Sequence, residues 1–171
     1  NRFDLSRSRG LSRFVGRASD LRTLDDALEQ TTAGNGQVIG VVAEAGTGKS
    51  RLCFEFLERC RAKGMRAFEG RAVAHGRNIP FLPILDVFRS YFGITGEDDE
   101  HAARAKIANE MALLGAKFAE AVPLVCEFLG VGDPRNPAPR LDPEVRQRHL
   151  IGVIRQIIRS ASAQQPTVTM I

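Results

Sequence analysis

The chain has no tryptophan, a single tyrosine and three cysteines. It has no apolar run near the roughly 18 residues that a membrane-spanning helix requires. Its first ten residues are polar and basic and carry no apolar stretch, which excludes a secretory signal in them. Cys53, Cys60 and Cys126 are odd in number and irregularly spaced, so they form no disulfide framework. If Cys53 and Cys60 share a helix, their Cα atoms lie ~10 Å apart, too far to bridge. The expectation is reduced thiols in a cytoplasmic protein. His75, His101 and His149 stand apart from one another and from any ligand pair, which leaves no zinc spacing. Aromatic residues are scarce where they would matter for nucleic acid. Arg2, Arg7, Arg9, Arg13, Arg17 and Arg22 are accompanied by Phe3 and Phe14 but by no reader motif, so the basic start reads as a solvated linker.

What remains is an ordinary globular composition: 171 residues, 43% hydrophobic and 26% charged, with a net charge of +4. That length is enough for one domain with a real core. Arginine far outnumbers lysine and alanine is abundant, as in proteins from GC-rich bacterial genomes. The first residue is Asn rather than Met, which suggests a chain cut from a longer one.

Periodicity divides the chain. Residues 1–13 show none and read as a linker from an upstream domain. Ser19 is placed as an N-cap, and Leu21, Leu24 and Leu28 then recur at helical spacing until Gly34-Asn35-Gly36. Val38 to Val42 is a continuous apolar run bounded by glycines, which predicts a strand buried on both faces. Leu52, Phe56 and Cys60 mark a helix that ends at Lys63-Gly64. Met65 to Ala74 reads as a second strand. Beyond it the chain is mostly helical. Leu82, Leu85, Phe88 and Tyr91 share one face, and Ile107, Met111 and Leu114 another. Phe118 to Leu129 predicts a helix interrupted or started at Pro123. Residues 130–139 form a Gly/Pro-rich loop. Asp142-Pro143 opens a helix with the stripe Leu150, Val153, Ile154, Ile157 and Ile158. Residues 167–171 are β-rich. The expected fold class is α/β, a three-layer P-loop NTPase with a parallel sheet and an inserted helical section, over residues 14–171.

The chemistry concentrates between the first predicted strand and its helix, in Ala43-Glu44-Ala45-Gly46-Thr47-Gly48-Lys49-Ser50. The pattern is that of a phosphate-binding loop: four residues, then Gly, Lys and Ser, with Ala43 in the place of the first glycine. A triphosphate packs several negative charges into a small volume. Backbone N–H groups from Gly46 to Lys49 converge on it only if the chain wraps tightly, which Gly46 and Gly48 permit. The helix starting near Lys49 adds its positive end. Lys49 is expected on the β and γ phosphates and Ser50 on Mg²⁺ through its hydroxyl. Arg51 is a candidate for the α-phosphate or a surface arginine of the first helical turn. His75 and Arg77 are candidates to face the γ-phosphate or are solvated loop residues.

Phe14-Val15-Gly16-Arg17 followed by a helix, Asp20-Leu21 near the position of the family's Glu/Asp-x-Leu, and the later run Glu44 to Leu52 together resemble the signal-transduction ATPases with numerous domains (STAND), AAA-related regulators. The resemblance runs from about Arg13 to Ile171. It implies ATP and Mg²⁺ as ligands, Val15, Gly16 and Arg17 near the adenine, and a nucleotide-dependent oligomer. It also implies that Pro166 to Ile171 begins the strand carrying the Walker B acids. On that alignment the chain stops before those carboxylates, and the expectation is binding of ATP without efficient hydrolysis. The segment Arg2 to Arg17 resembles the joint between a class III adenylate/guanylate cyclase domain and a STAND ATPase domain in bacterial signalling proteins. The implied partner is a neighbouring cyclase or other output domain. The alternative is the ATPase module of a large helix-turn-helix transcription regulator; a metabolic kinase or a repair ATPase is a third class.

Overall fold

In the computed structural model, which describes residues 11–70 and 81–171, Leu21, Leu24 and Leu28 line the buried side of the first helix, α1 (Ala18–Thr32). Their spacing returns each to the same face, as the sequence predicts. The helix starts two residues earlier than expected. Arg17, not Ser19, is at the N-cap and no side chain caps it. Asp20 lies in the first turn and bonds Arg17, so a carboxylate near the positive helix end serves where a capping hydroxyl was expected. The second helix, α2 (Lys49–Ala62), buries Leu52, Leu57 and Cys60. Leu21, Leu24 and Leu52 form one hydrophobic cluster, with Phe14 and Phe56 packed against it. Asp25 of α1 receives Arg59 at 3.0 Å and Lys63 at 3.2 Å. Both helices end the same way. Gly34 and Gly64 adopt φ of 94° and 76°, and the next two amides fold back on the last turn: Asn35 N–H reaches the Gln30 carbonyl, and Met65 N–H the Cys60 carbonyl. These are Schellman closures, which require a left-handed residue.

The strand expected over Val38 to Val42 does not form. Val38 and Val42 are almost wholly exposed. A strand needs a ladder partner, and a continuous apolar run is buried on both faces only between flanking strands. Among the described residues none pairs with this segment.

Those elements, up to Ala67, belong to one compact unit; a second spans residues 68–171. The strand β1 (Arg66–Glu69) begins at the boundary and pairs with β2 (Thr167–Met170) in a small parallel sheet. The Gly70 N–H donates to the Met170 carbonyl at 2.8 Å. No side chain fits at Gly70, because a Cβ there would lie 2.1 Å from the Pro83 carbonyl oxygen. Between the strands the described residues are mostly helical, as expected: α3 (Leu82–Tyr91), α4 (Glu100–Leu114), a 3-10 segment (Ala116–Ala121), α5 (Val122–Phe128) and α6 (Pro143–Gln164). The helix expected from Phe118 is divided, and Pro123 in the first turn marks where α5 begins. Phe88, Tyr91, Ile107, Met111, Phe118, Val153 and Ile157 are buried in one cluster, whereas Ile158, at the edge of the predicted stripe, is 52% exposed. Asp142 occupies the N-cap of α6 without a side-chain capping bond.

Two carboxylates tie this helical unit together. Asp98 pairs with Lys106 at 2.7 Å and accepts the Thr95 N–H. Glu127 pairs with Arg146 and accepts the Ala138 N–H at 2.8 Å. The Lys106 ammonium hydrogen-bonded to Asp98, and the Arg146 guanidinium hydrogen-bonded to Glu127, hold both carboxyls below their ordinary ranges. Because the unfolded chain then binds more protons, both contributions are present at neutral pH and fade as pH falls through and below about 4. Urea midpoints measured from about pH 7 to about pH 3 are expected to fall more steeply for the wild type than for an Asp98→Asn, Glu127→Gln double variant. Parallel curves would show that neither carboxylate contributes. Cys60 and Cys126 are buried, their thiols pushed up by desolvation and so kept protonated, and neither they nor Cys53 is bridged.

Candidate functional site

The segment 43–50 is a solvent-exposed loop that turns directly into α2. Gly46 and Gly48 carry φ of 84° and 88°, left-handed values that an L side chain rarely adopts, so the two glycines make the wrap. Gly48 is the N-cap of α2 and Lys49 its first residue. The first intrahelical bond runs from the Leu52 N–H to the Gly48 carbonyl at 2.9 Å. The amides of Lys49, Ser50 and Arg51 therefore precede the helical ladder and face whatever sits at the helix start. No atom lies within 4 Å of a Cβ position built at Gly46 or Gly48, so the approach to this backbone is open.

Side chains hold the loop's carbonyls. Lys49 Nζ donates to the Ala43 carbonyl and, at 2.7 Å, to the Glu44 carbonyl. Thr47 Oγ1 donates to the same Glu44 oxygen at 2.8 Å. Arg17 Nη2 donates to the Thr47 carbonyl, while Arg17 Nη1 pairs with Asp20 at 2.9 Å. The loop thus turns carbonyls toward cationic side chains and concentrates amides, one ammonium and a helix start in one place. That set attracts a compact polyanion.

The expected site residues fall as follows. Ala43, Glu44, Ala45, Gly46, Thr47, Gly48, Lys49 and Ser50 are contiguous in the loop, with Ser50 exposed on the first turn of α2. Gly16 has φ of 77°, and Val15 is 70% exposed beside it. Arg17 is brought onto the loop itself, a contact across 30 residues. Arg51 is held elsewhere: it pairs with Glu55 at 2.6 Å, donates to the Ser12 carbonyl at 2.9 Å and lies over the Phe14 ring at 5.7 Å. Ser12 and Phe14 therefore anchor the chain ahead of α1, a role the sequence reading missed for Ser12, which it assigned to a linker. Periodicity carries no signal for such a contact. His75 and Arg77 lie outside the described residues. Among the described residues no group of three or more His, Cys, Asp or Glu side chains gathers to hold a metal ion, and no helix is long and apolar enough to cross a membrane.

A family model described as "AAA ATPase domain" matches residues 13–171. No curated protein and no solved structure gives a significant match.

Proposed function

Because the chain belongs to the AAA ATPase domain family, and so to the P-loop NTPases, we propose that residues 43–50 bind the phosphates of ATP with Mg²⁺ and that nucleotide state controls an output domain in the same protein. One observation carries this reading: Lys49 opens α2 directly behind two left-handed glycines, Gly46 and Gly48, and the space beside both glycines is open. The residues fit the ligand. Amides of Gly46 to Lys49 and the start of α2 supply donors, and the Lys49 ammonium exchanges loop carbonyls for phosphate oxygens. The Ser50 hydroxyl would hold Mg²⁺, which when bound offsets the charge on the phosphates. Val15 and Gly16 are assigned to the adenine by the STAND resemblance. Glu44 is the loop's own carboxylate, and residues 43–50 contain no second acid to help activate water. Calorimetric titration with Mg-ATP tests the binding: saturable heat supports it, and none at millimolar ATP overturns it.

The output domain is a finer reading. The resemblance of Arg2 to Arg17 to a cyclase–ATPase joint favours a bacterial cytoplasmic adenylate/guanylate cyclase, with residues 1–13 as the tether and a nucleotide-dependent oligomer as its active assembly. A helix-turn-helix transcription regulator is the alternative. If a cyclase is coupled, Lys49→Ala in the full-length protein changes cyclic-nucleotide output several-fold, since such couplings are typically about 1–3 kcal/mol. Equal output from variant and wild type would refute the coupling.

A further inference from the structure

We propose that Arg17 is a positioning residue of the phosphate loop, acting through the Thr47 carbonyl rather than by touching nucleotide; this rests on the ATP-binding reading above. The guanidinium is a rigid planar fork. One arm, Nη1, is fixed by Asp20 Oδ2 at 2.9 Å, and the other, Nη2, reaches the Thr47 oxygen. Asp20 sits in the first turn of α1, a helix packed on α2 through Leu21, Leu24 and Leu52, so the fork is braced from a built element.

What the fork holds is a peptide plane. The Thr47–Gly48 peptide is trans, and in a trans peptide the carbonyl and the following N–H point in opposite directions. Holding the Thr47 oxygen toward Arg17 turns the Gly48 N–H away from it. Gly48, at φ 88°, has a freedom of rotation that other residues lack, and an unheld glycine peptide is the one most prone to flip. The loop uses the same device at Glu44, whose carbonyl is held by Thr47 Oγ1 and Lys49 Nζ, which turns the Ala45 N–H the other way. With the Ala43 carbonyl, which Lys49 Nζ also holds, three peptides of the loop are oriented by side-chain donors, one of them by a donor from outside the loop. Arg17 belongs to the Phe14-Val15-Gly16-Arg17 segment, which the resemblance places near the adenine; the observed contact instead assigns it to the phosphate end.

The two placements separate experimentally. Mg-ATP, inorganic tripolyphosphate and adenosine are titrated into the wild type, Arg17→Ala, Arg17→Lys, Asp20→Asn and Lys49→Ala, with far-UV circular dichroism as the check on folding. Arg17→Ala is expected to weaken ATP and tripolyphosphate about tenfold each, the scale of one charge-assisted hydrogen bond, and to leave adenosine unchanged. Arg17→Lys keeps the charge but cannot hold Asp20 and Thr47 with one fork, so it fails to restore phosphate affinity. Asp20→Asn gives a smaller loss with the same ligand pattern. Rescue by lysine, or a loss confined to ligands that carry adenosine, overturns the positioning role. Wild-type binding that Lys49→Ala abolishes and Arg17→Ala leaves intact overturns it alone. A wild type that binds neither ATP nor tripolyphosphate overturns the nucleotide reading and this role with it.

Discussion

Lys49→Ala is expected to lower Mg-ATP affinity by about a hundredfold or more, on the order of 3 kcal/mol, while the chain stays folded. The binding loss follows from charge. Lys49 is the one ammonium in the loop 43–50, and it stands at the start of α2, where backbone amides and the helix end already favour an anion. Its removal takes away a full positive charge that no backbone donor replaces. The retention of fold follows from packing. Lys49 belongs to neither hydrophobic cluster, and its Nζ bonds go to exposed loop carbonyls. Isothermal titration measures the affinity, and thermal unfolding with and without nucleotide gives a second reading. Mg-ATP at ~100 times its dissociation constant adds about 2.7 kcal/mol to the wild type, and the variant loses that increment. A folded Lys49→Ala protein that binds Mg-ATP as the wild type does would remove the phosphate-loop assignment.

Phe118→Ala is expected to destabilise residues 68–171 by about 3–5 kcal/mol, a large share of the ~5–15 kcal/mol that holds a typical domain. Phe118 is 1% exposed and is the largest fully buried side chain in the described structure. It lies in the 3-10 segment, whose short turns contribute little cooperative hydrogen bonding of their own. The segment is therefore held by what Phe118 buries against α4 and α5 rather than by its backbone. Ile107 and Met111, both 0% exposed, are members of the same cluster, so the vacated volume opens within the buried core. The Lys117 ammonium lies 5.1 Å from the ring centroid and loses its partner as well. Urea unfolding gives the measure: a lower midpoint at unchanged slope is expected. A loss below about 1 kcal/mol would mean that the site repacks and that Phe118 is not a core anchor.

Much of the local structure was legible because it depends on short-range rules. The leucines of α1, the Leu52 and Cys60 face of α2, and Ile107, Met111 and Leu114 of α4 recur at helical spacing, and all are buried. Gly34 and Gly64 stop their helices because the closing turn needs a left-handed residue, which the sequence announces. Gly46, Gly48, Lys49 and Ser50 were identifiable for the same reason: two positive-φ positions directly before a helix start are a backbone specification written in residue types. The failures were of another kind. Val38 to Val42 has the composition of a buried strand, yet composition cannot provide the neighbouring strands that would bury it. The Ser19 cap was a reasonable local choice, overridden when Arg17 took the N-cap and bonded Asp20.

By itself, then, the sequence determined where most helices run, where they stop and which residues make the glycine turn into α2, since each is encoded within a few residues by periodicity, φ preference and charge. The tertiary structure decided what lies beside that loop. Arg17 reaches Thr47 across 30 residues, and Arg51 turns to Glu55, Ser12 and Phe14 instead of facing the loop it follows. A side chain's partner is set by which elements pack together. That packing is fixed by the burial of Leu21, Leu24 and Leu52 in one cluster, a long-range outcome that no local pattern contains.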